Sequence, residues 1–209
     1  TMTEKFLKAK HWQLFLLTFG IPMLFQIVLM ITMFANIGSG NNPDVSLLLN
    51  YFMFFPIIMI LIVATQFGWF WSVGIGLQSK VPENVKMKTK KFKIFFFIPL
   101  LYIILLSTIF SVSASGMMEN ETPPAVELIM SLVVIIIPLH LFSMFCIFYS
   151  LYFVAKTYKT VELQRQVSFS DFAGEFFMIW FYPIGIWIIQ PKLNKIIENE
   201  SAAPNPQQI

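Results

Sequence analysis

The chain has 209 residues, of which 57% are hydrophobic and only 12% are charged, and its mean hydropathy is +0.73. Soluble domains carry about 25% charged residues, so a chain this poor in charge must have lipid as its main solvent. The chain has a single cysteine, Cys146, so an intramolecular disulfide is excluded. The net charge is +3, but the basic residues do not form the pattern with aromatic residues that would predict nucleic-acid binding.

Four apolar stretches, none of which contains Asp, Glu, Lys or Arg, are long enough to cross a bilayer. Each exceeds the roughly 20 residues that a helix needs to cross a hydrocarbon core about 30 Å thick. The sequence therefore predicts an all-α integral membrane protein with four transmembrane helices. The stretches run from Trp12 to about Ile37, from Leu47 to about Gln78, from Ile94 to Ser115 and from Leu128 to Val154.

A fifth hydrophobic segment, Phe172 to Ile189, is shorter and is broken by Pro183 and Gly185. The charge pattern favours a re-entrant or interfacial segment over a fifth span, because Lys192 and Lys195 then stay on the same side as the other basic residues. Re-entrant backbone is tolerated only where protein covers it. We therefore expect this segment to dock against the other helices or against a partner subunit.

The basic residues indicate the orientation of the chain. All 14 Lys and Arg residues lie in the N-terminal segment, between Lys80 and Lys93, or after the fourth and fifth stretches, whereas the loops Gly38 to Ser46 and Gly116 to Glu127 have none. The positive-inside rule then predicts that both termini are cytoplasmic. We expect one transmembrane domain, residues 1–197, followed by a polar tail, residues 198–209, that is disordered or partner-bound.

Small residues recur every four positions in the second stretch, at Gly68, Ser72 and Gly76. This spacing places them on one helix face, where small side chains let a second helix approach closely. The pattern predicts helix packing, either within the chain or to another subunit. A glycine-lined pore is the alternative.

A candidate intramembrane polar site consists of His140, Gln26 and Gln66, each of which lies within an apolar stretch. The histidine is expected to be neutral and hydrogen-bonded to a neighbouring helix, with a proton-carrying or ligand-binding role as the alternative. The amides are expected to bond helix to helix. No cluster of Cys, His, Asp and Glu suggests a metal site, and we expect no cofactor.

Charged residues at the membrane surface give two further expectations. Glu175 is expected to form an interfacial ion pair, with Arg165 as the candidate partner and Lys156 and Lys159 as the other cations nearby. A lysine-rich loop is expected to contact anionic lipid headgroups, at roughly 1 kcal/mol per basic residue near the surface. Its residues are Lys86, Lys88, Lys90, Lys91 and Lys93.

The C-terminal third contains KTYKTVEL from Lys156, FSDF from Phe169 and PIGIWIIQPKLNK from Pro183, and the start of the chain contains KHWQ from Lys10. A resemblance to a group of small multi-pass inner-membrane proteins of Bacteroidota lies in these segments. It implies a bacterial inner-membrane location and a defined structural element around Pro183 to Asn194. It implies no particular activity.

The residues assemble no nucleophile–base pair, phosphate-binding loop or paired carboxylates, so we expect a protein that is not an enzyme. The leading hypothesis is an accessory or scaffolding subunit of an inner-membrane complex, whose partners are the lipid bilayer and other membrane subunits or a second copy of itself. One alternative is a membrane-perturbing effector or channel of a prokaryotic defence system. Another is a small transporter centred on His140.

Overall fold

A computed structural model describes the backbone of residues 1–38, 45–120 and 126–201 and the side chains of residues 1–36, 57–109 and 133–198. Within these ranges the chain forms helices and no strands. Four helices are long and apolar enough to cross a membrane, which confirms the predicted all-α membrane fold. They are span 1 (His11–Asn36), span 2 (Ile57–Lys80), span 3 (Thr89–Ile109) and span 4 (Val133–Leu163).

The described residues form eight α-helices, with one π-helical turn and one 3₁₀ turn. In chain order these are α1 Met2–Lys8, α2 His11–Phe15, the π turn Leu16–Gly20, α3 Ile21–Gly38, α4 Val45–Gly76, the 3₁₀ turn Gln78–Lys80, α5 Thr89–Asn120, α6 Val126–Leu163, α7 Phe169–Trp180 and α8 Tyr182–Ser201.

Contacts divide the chain into two compact units, although the sequence suggested one domain over residues 1–197. Unit 1 comprises Thr1–Val85 and Ala155–Ile209, and unit 2 comprises Lys86–Val154. The predicted tail begins at residue 198, but α8 continues to Ser201. Residues 202–209 lie outside the described part of the chain, as do residues 39–44 and 121–125 of the two loops without Lys or Arg.

The core of unit 1 is built on α8, which buries a face with helical periodicity. Apart from the adjacent pair Ile189 and Gln190, its buried residues recur at intervals of three or four, so they line one side of the helix. Trp69, Phe70 and Val73 of α4, and Leu77 directly after it, contribute to the same core, and α1 packs on α4. The buried residues of α8 are Tyr182, Ile186, Ile189, Gln190, Leu193 and Ile197.

Unit 2 is held together by aromatic side chains of α5 and α6. The rings of Phe92 and Phe153 stack at 4.5 Å, and Phe95 contacts Phe145 and Tyr149 at 5.8 and 4.8 Å. Phe92 and Phe153 are both buried. Aromatic pairs of this kind contribute about 0.5–1.5 kcal/mol beyond the area that they bury.

The fifth hydrophobic segment is a hairpin of α7 and α8, which pack on each other. The break falls at Phe181 (φ −86°, ψ 57°) and not at Pro183 and Gly185, where the sequence suggested it. Pro183 is instead the second residue of α8, a position where its missing N–H is not needed. Gly185 lies inside α8 and touches the backbone of Met178, and this close approach requires a residue without Cβ.

We predict that Gly185→Ala weakens the α7–α8 packing, because the added Cβ would collide with the carbonyl oxygen of Met178. Overpacking of this kind costs about 1–3 kcal/mol. Gly174→Ala is the matched control, since a Cβ at Gly174 in α7 meets no atom within 4 Å. Thermal unfolding in detergent should show a lower midpoint for Gly185→Ala only. Equal midpoints for the two variants would contradict the close packing of the hairpin.

Candidate functional site

The side-chain amide of Gln190 lies at the centre of unit 1 and has no exposed surface. Its Oε1 accepts a hydrogen bond of 2.7 Å from Nε1 of Trp69. Its Nε2 lies 3.2, 3.2 and 2.8 Å from the carbonyl oxygens of Phe6, Leu7 and Ala9, and 2.9 Å from Oδ1 of Asn194. Because an amide nitrogen carries only two hydrogens, these four acceptors share them.

The three backbone acceptors belong to the end of α1, where the last carbonyls of a helix lack partners within the helix. Gln190 therefore caps α1 from another helix, and Asn194 assists by donating from Nδ2 to Ala9 at 3.2 Å. A buried polar group without a partner costs about 1–3 kcal/mol. The amide thus fixes α1 and α4 against α8 in one arrangement.

The small-residue face of α4 packs against α1 within the chain. A Cβ added to Gly68 would lie 2.6 Å from Cζ of Phe6, and one added to Gly76 would touch Thr3. Ser72 is buried and donates to the carbonyl of Gly68 at 2.7 Å. The small side chains at these positions allow α1 to pack closely on α4. Their spacing in the sequence predicts this helix packing.

An ion pair joins α6 to the hairpin, but the pairing differs from the one predicted. Glu175 is buried and accepts from Lys159 Nζ at 2.8 Å, and the same Nζ bonds Glu162 at 2.7 Å. Arg165, the partner expected for Glu175, instead binds Asp171 at 2.8 Å. Glu175 lies one helical turn beyond Asp171 in α7, where Lys159 is within reach.

Asp171 also closes the N-terminus of α7 by a capping box. Its carboxylate accepts from the backbone N–H and the hydroxyl of Ser168, both at 2.8 Å. The hydrogen bond from Arg165 and those from Ser168 stabilise the charged form and lower the pKa of Asp171 below its usual range. The start of the hairpin is therefore polar and ionised at neutral pH.

The candidate intramembrane polar residues are not brought together into one site. Gln26 in α3 is exposed and Gln66 in α4 is half-buried, and neither side chain forms a hydrogen bond within the described chain. His140 belongs to unit 2, where its Nδ1 lies 3.0 Å from the hydroxyl of Tyr102. Tyr102 is buried, whereas His140 is exposed.

The lysines that were expected to meet lipid headgroups are all exposed, and they lie before and within the first turns of α5. Lys91 is also positioned over two aromatic rings, with Nζ 5.3 Å from the ring centre of Phe95 and 5.0 Å from that of Tyr149. A cation–π contact of this kind holds the stem of the lysine against the helix surface. Within the described ranges, no group of three or more His, Cys, Asp and Glu residues could hold a metal ion.

Sequence reasoning missed both α1 and the role of Gln190. Two features of the sequence indicate α1. Thr1 and Glu4 match the pattern of a capping box, which predicts a helix start, and Phe6 and Leu7 are apolar residues among lysines. Gln190 was less visible, because a single amide in an apolar segment does not reveal which backbone groups it meets.

Comparison with protein-family models, with curated proteins and with solved structures gives no match for this chain.

We predict that Gln190→Met lowers the unfolding midpoint, because the Trp69 indole and the end of α1 then lose their buried partner. The expected loss is about 1–3 kcal/mol for each group left unpaired. The exposed residue Gln166 provides the matched control, Gln166→Met. Trypsin should also cleave after Lys5 and Lys8 faster in Gln190→Met, since α1 is released. If α1 stays protected in this variant, Gln190 does not hold it.

A second prediction concerns the space that Gly68 leaves for α1. Gly68→Leu should displace Phe6 and lower the free energy of unfolding by about 1–3 kcal/mol, as overpacking does. Ala64→Leu, at an exposed position one turn earlier in α4, adds a similar volume where no packing is expected to change. Differential scanning fluorimetry in detergent compares the two. Identical unfolding midpoints of the two variants would mean that α1 does not pack against the glycine face of α4.

Proposed function

We propose that the protein is a non-catalytic accessory or scaffolding subunit of a membrane-protein complex, which it joins through the outward faces of its spans. The observation that carries this proposal is the exposed amide of Gln26, which has no hydrogen-bond partner within the described chain. Following the positive-inside rule, we also propose a bacterial inner membrane with both termini in the cytoplasm.

Exposed apolar side chains on the spans do not by themselves require a partner. Only 6% of the most apolar window of span 1 is buried within the chain, and residues such as Leu24, Val28 and Phe34 are more than half exposed. Lipid tails are as apolar as these side chains, so lipid can cover them without loss. Polar groups on the spans, and not apolar ones, therefore favour a partner subunit.

Gln26 lies too deep in span 1 to reach water. It stands 15 residues after His11 and 10 residues before Asn36, which corresponds to roughly 22 Å and 15 Å along a helix. An amide without a partner in an apolar medium costs about 2–7 kcal/mol. A polar group on the helix of another subunit would remove this penalty.

His140 supports the same interpretation from unit 2. Tyr102 occupies its Nδ1, and the ring is exposed on α6 about 21 Å from the start of that helix. When Nδ1 accepts from the tyrosine hydroxyl, Nε2 carries a hydrogen and needs an acceptor. Tyr102 thus orients the imidazole to donate a hydrogen bond to a neighbouring subunit.

A transporter centred on His140 is the second candidate, and the hydrogen bond between Tyr102 and His140 is the observation that favours it. Transport of protons along a relay needs further titratable groups near the first one. In the described part of unit 2, the pair has no carboxylate bonded to it. An accessory role therefore accounts for more of the observations.

The proposal is tested by affinity purification in mild detergent, followed by quantitative mass spectrometry of the retained membrane proteins. We expect Gln26→Leu and His140→Leu each to weaken retention of the same partner by roughly 3- to 30-fold, the effect of an interhelical polar bond of about 0.6–2 kcal/mol. Met23→Leu, at an exposed apolar position of α3, is the control and should retain the partner fully.

Other outcomes would decide against the accessory role. Wild-type protein that purifies alone as a monomer, with unchanged behaviour of both variants, would overturn it. Depolarisation of the membrane on overexpression, abolished by the same variants, would favour a membrane-perturbing effector. Proton flux in vesicles of the purified protein that is lost with Tyr102→Phe would favour the transporter.

A further inference from the structure

The tip of the α7–α8 hairpin carries large apolar side chains that the chain leaves exposed. Ile184 is 69% and Phe181 is 60% exposed, and the Trp180 and Phe181 rings stack on each other at 5.7 Å. We call the exposed set the hairpin tip. Its residues are Phe177, Trp180, Phe181, Ile184, Trp187 and Ile188.

Contacts within unit 1 determine where the hairpin tip lies along the axis of span 1. The ring of Trp187 lies 4.6 Å from that of His11 and 5.5 Å from that of Phe15, ring centre to ring centre. His11 and Phe15 belong to the first turns of span 1. Trp187 therefore lies at the level where span 1 begins.

Helix α8 runs antiparallel to the start of span 1. Beyond Trp187, Gln190 and Asn194 both bond the carbonyl of Ala9, which precedes His11. Residues before Trp187 must therefore lie farther along span 1, in the direction of its apolar middle. Ile184 and Phe181 are three and six residues earlier, which places them roughly 4–9 Å deeper at 1.5 Å per residue.

The other end of the hairpin is charged. Lys192 and Lys195 of α8 are exposed, and α7 begins with the ion pair between Arg165 and Asp171. The hairpin is thus apolar at its tip and polar at its base. Aromatic tips and basic flanks are the arrangement that segments take at the boundary between headgroups and acyl chains.

The turn at the tip makes three backbone hydrogen bonds of its own, which favours its entry into this boundary. The N–H of Phe181 bonds the carbonyl of Phe177, and the N–H groups of Ile184 and Gly185 bond the carbonyl of Phe181, all at 2.9 Å. Unsatisfied backbone groups are what prevents turns from entering hydrocarbon. Tyr182 is buried against Trp69 at 5.5 Å, which holds the hairpin in place.

We propose that the hairpin tip inserts into the bilayer leaflet at which span 1 begins, where it acts as a wedge in that leaflet alone. The partner of this surface is lipid, with Lys192 and Lys195 meeting anionic headgroups. A wedge in one leaflet enlarges that leaflet only, so its insertion depends on lipid packing and curvature. This inference is independent of the accessory role, since it concerns the chain by itself.

Spin-label depth measurements on the full chain test the proposal. Single cysteines are placed at Ile184 or Phe181 in a Cys146→Ala background and labelled, and the protein is reconstituted into phosphatidylethanolamine and phosphatidylglycerol vesicles. We expect higher accessibility to oxygen than to a water-soluble nickel chelate at both positions. Val28, exposed in the middle of span 1, gives the lipid reference, and Lys195 gives the aqueous reference, where the order of accessibilities reverses.

Each remaining outcome would overturn the wedge. Labels at Ile184 and Phe181 that behave like the Lys195 reference would mean that the tip lies in water. Low accessibility of both labels to both reagents would mean that protein covers the tip. The unfolding midpoint of each labelled protein, measured beside that of Cys146→Ala, verifies that the hairpin has stayed folded.

Discussion

The carboxamide of Gln190 is the interaction on which the arrangement of unit 1 depends. It accepts from the indole of Trp69 and donates to the last carbonyls of α1, so three helices meet at one buried polar group. Without it, the buried indole of Trp69 would lose its acceptor and the carbonyls of Leu7 and Ala9 would lose a donor. Buried polar groups cost more to leave unpaired than their bonds contribute when made. The position of α1 in the glycine-lined face of α4, and the level of the hairpin beside span 1, follow from this constraint.

The chain has a buried core in unit 1 and an outward-facing surface along span 1, and different interactions stabilise each. Unit 1 buries large side chains such as Trp69 and Tyr158, as a soluble domain does. Along span 1 the side chains face outward, where lipid covers apolar groups but cannot satisfy polar ones. Gln26 and His140 are therefore informative because of their surroundings, since the same residues on an aqueous surface would need no partner.

The charged residues of the hairpin show how local geometry selects between possible partners. Arg165 precedes α7 by a short loop, so it meets Asp171 in the capping box at the helix start. Glu175 is a turn farther along and faces α6, where Lys159 already holds Glu162. Sequence separation alone does not distinguish these cations for Glu175, because the choice depends on the angle at which α7 leaves α6.

The sequence by itself determined the membrane class, the four spans and the packing face at Gly68 and Gly76, because each depends on composition or on helical periodicity. It also identified the fifth segment as interrupted, although Phe181 and not Pro183 forms the break. Only the tertiary structure decided what fills the packing face, which cation pairs with Glu175 and what Gln190 binds. Those outcomes depend on contacts between residues up to 184 positions apart. No local sequence pattern specifies which distant helices pack against each other, or at what angle.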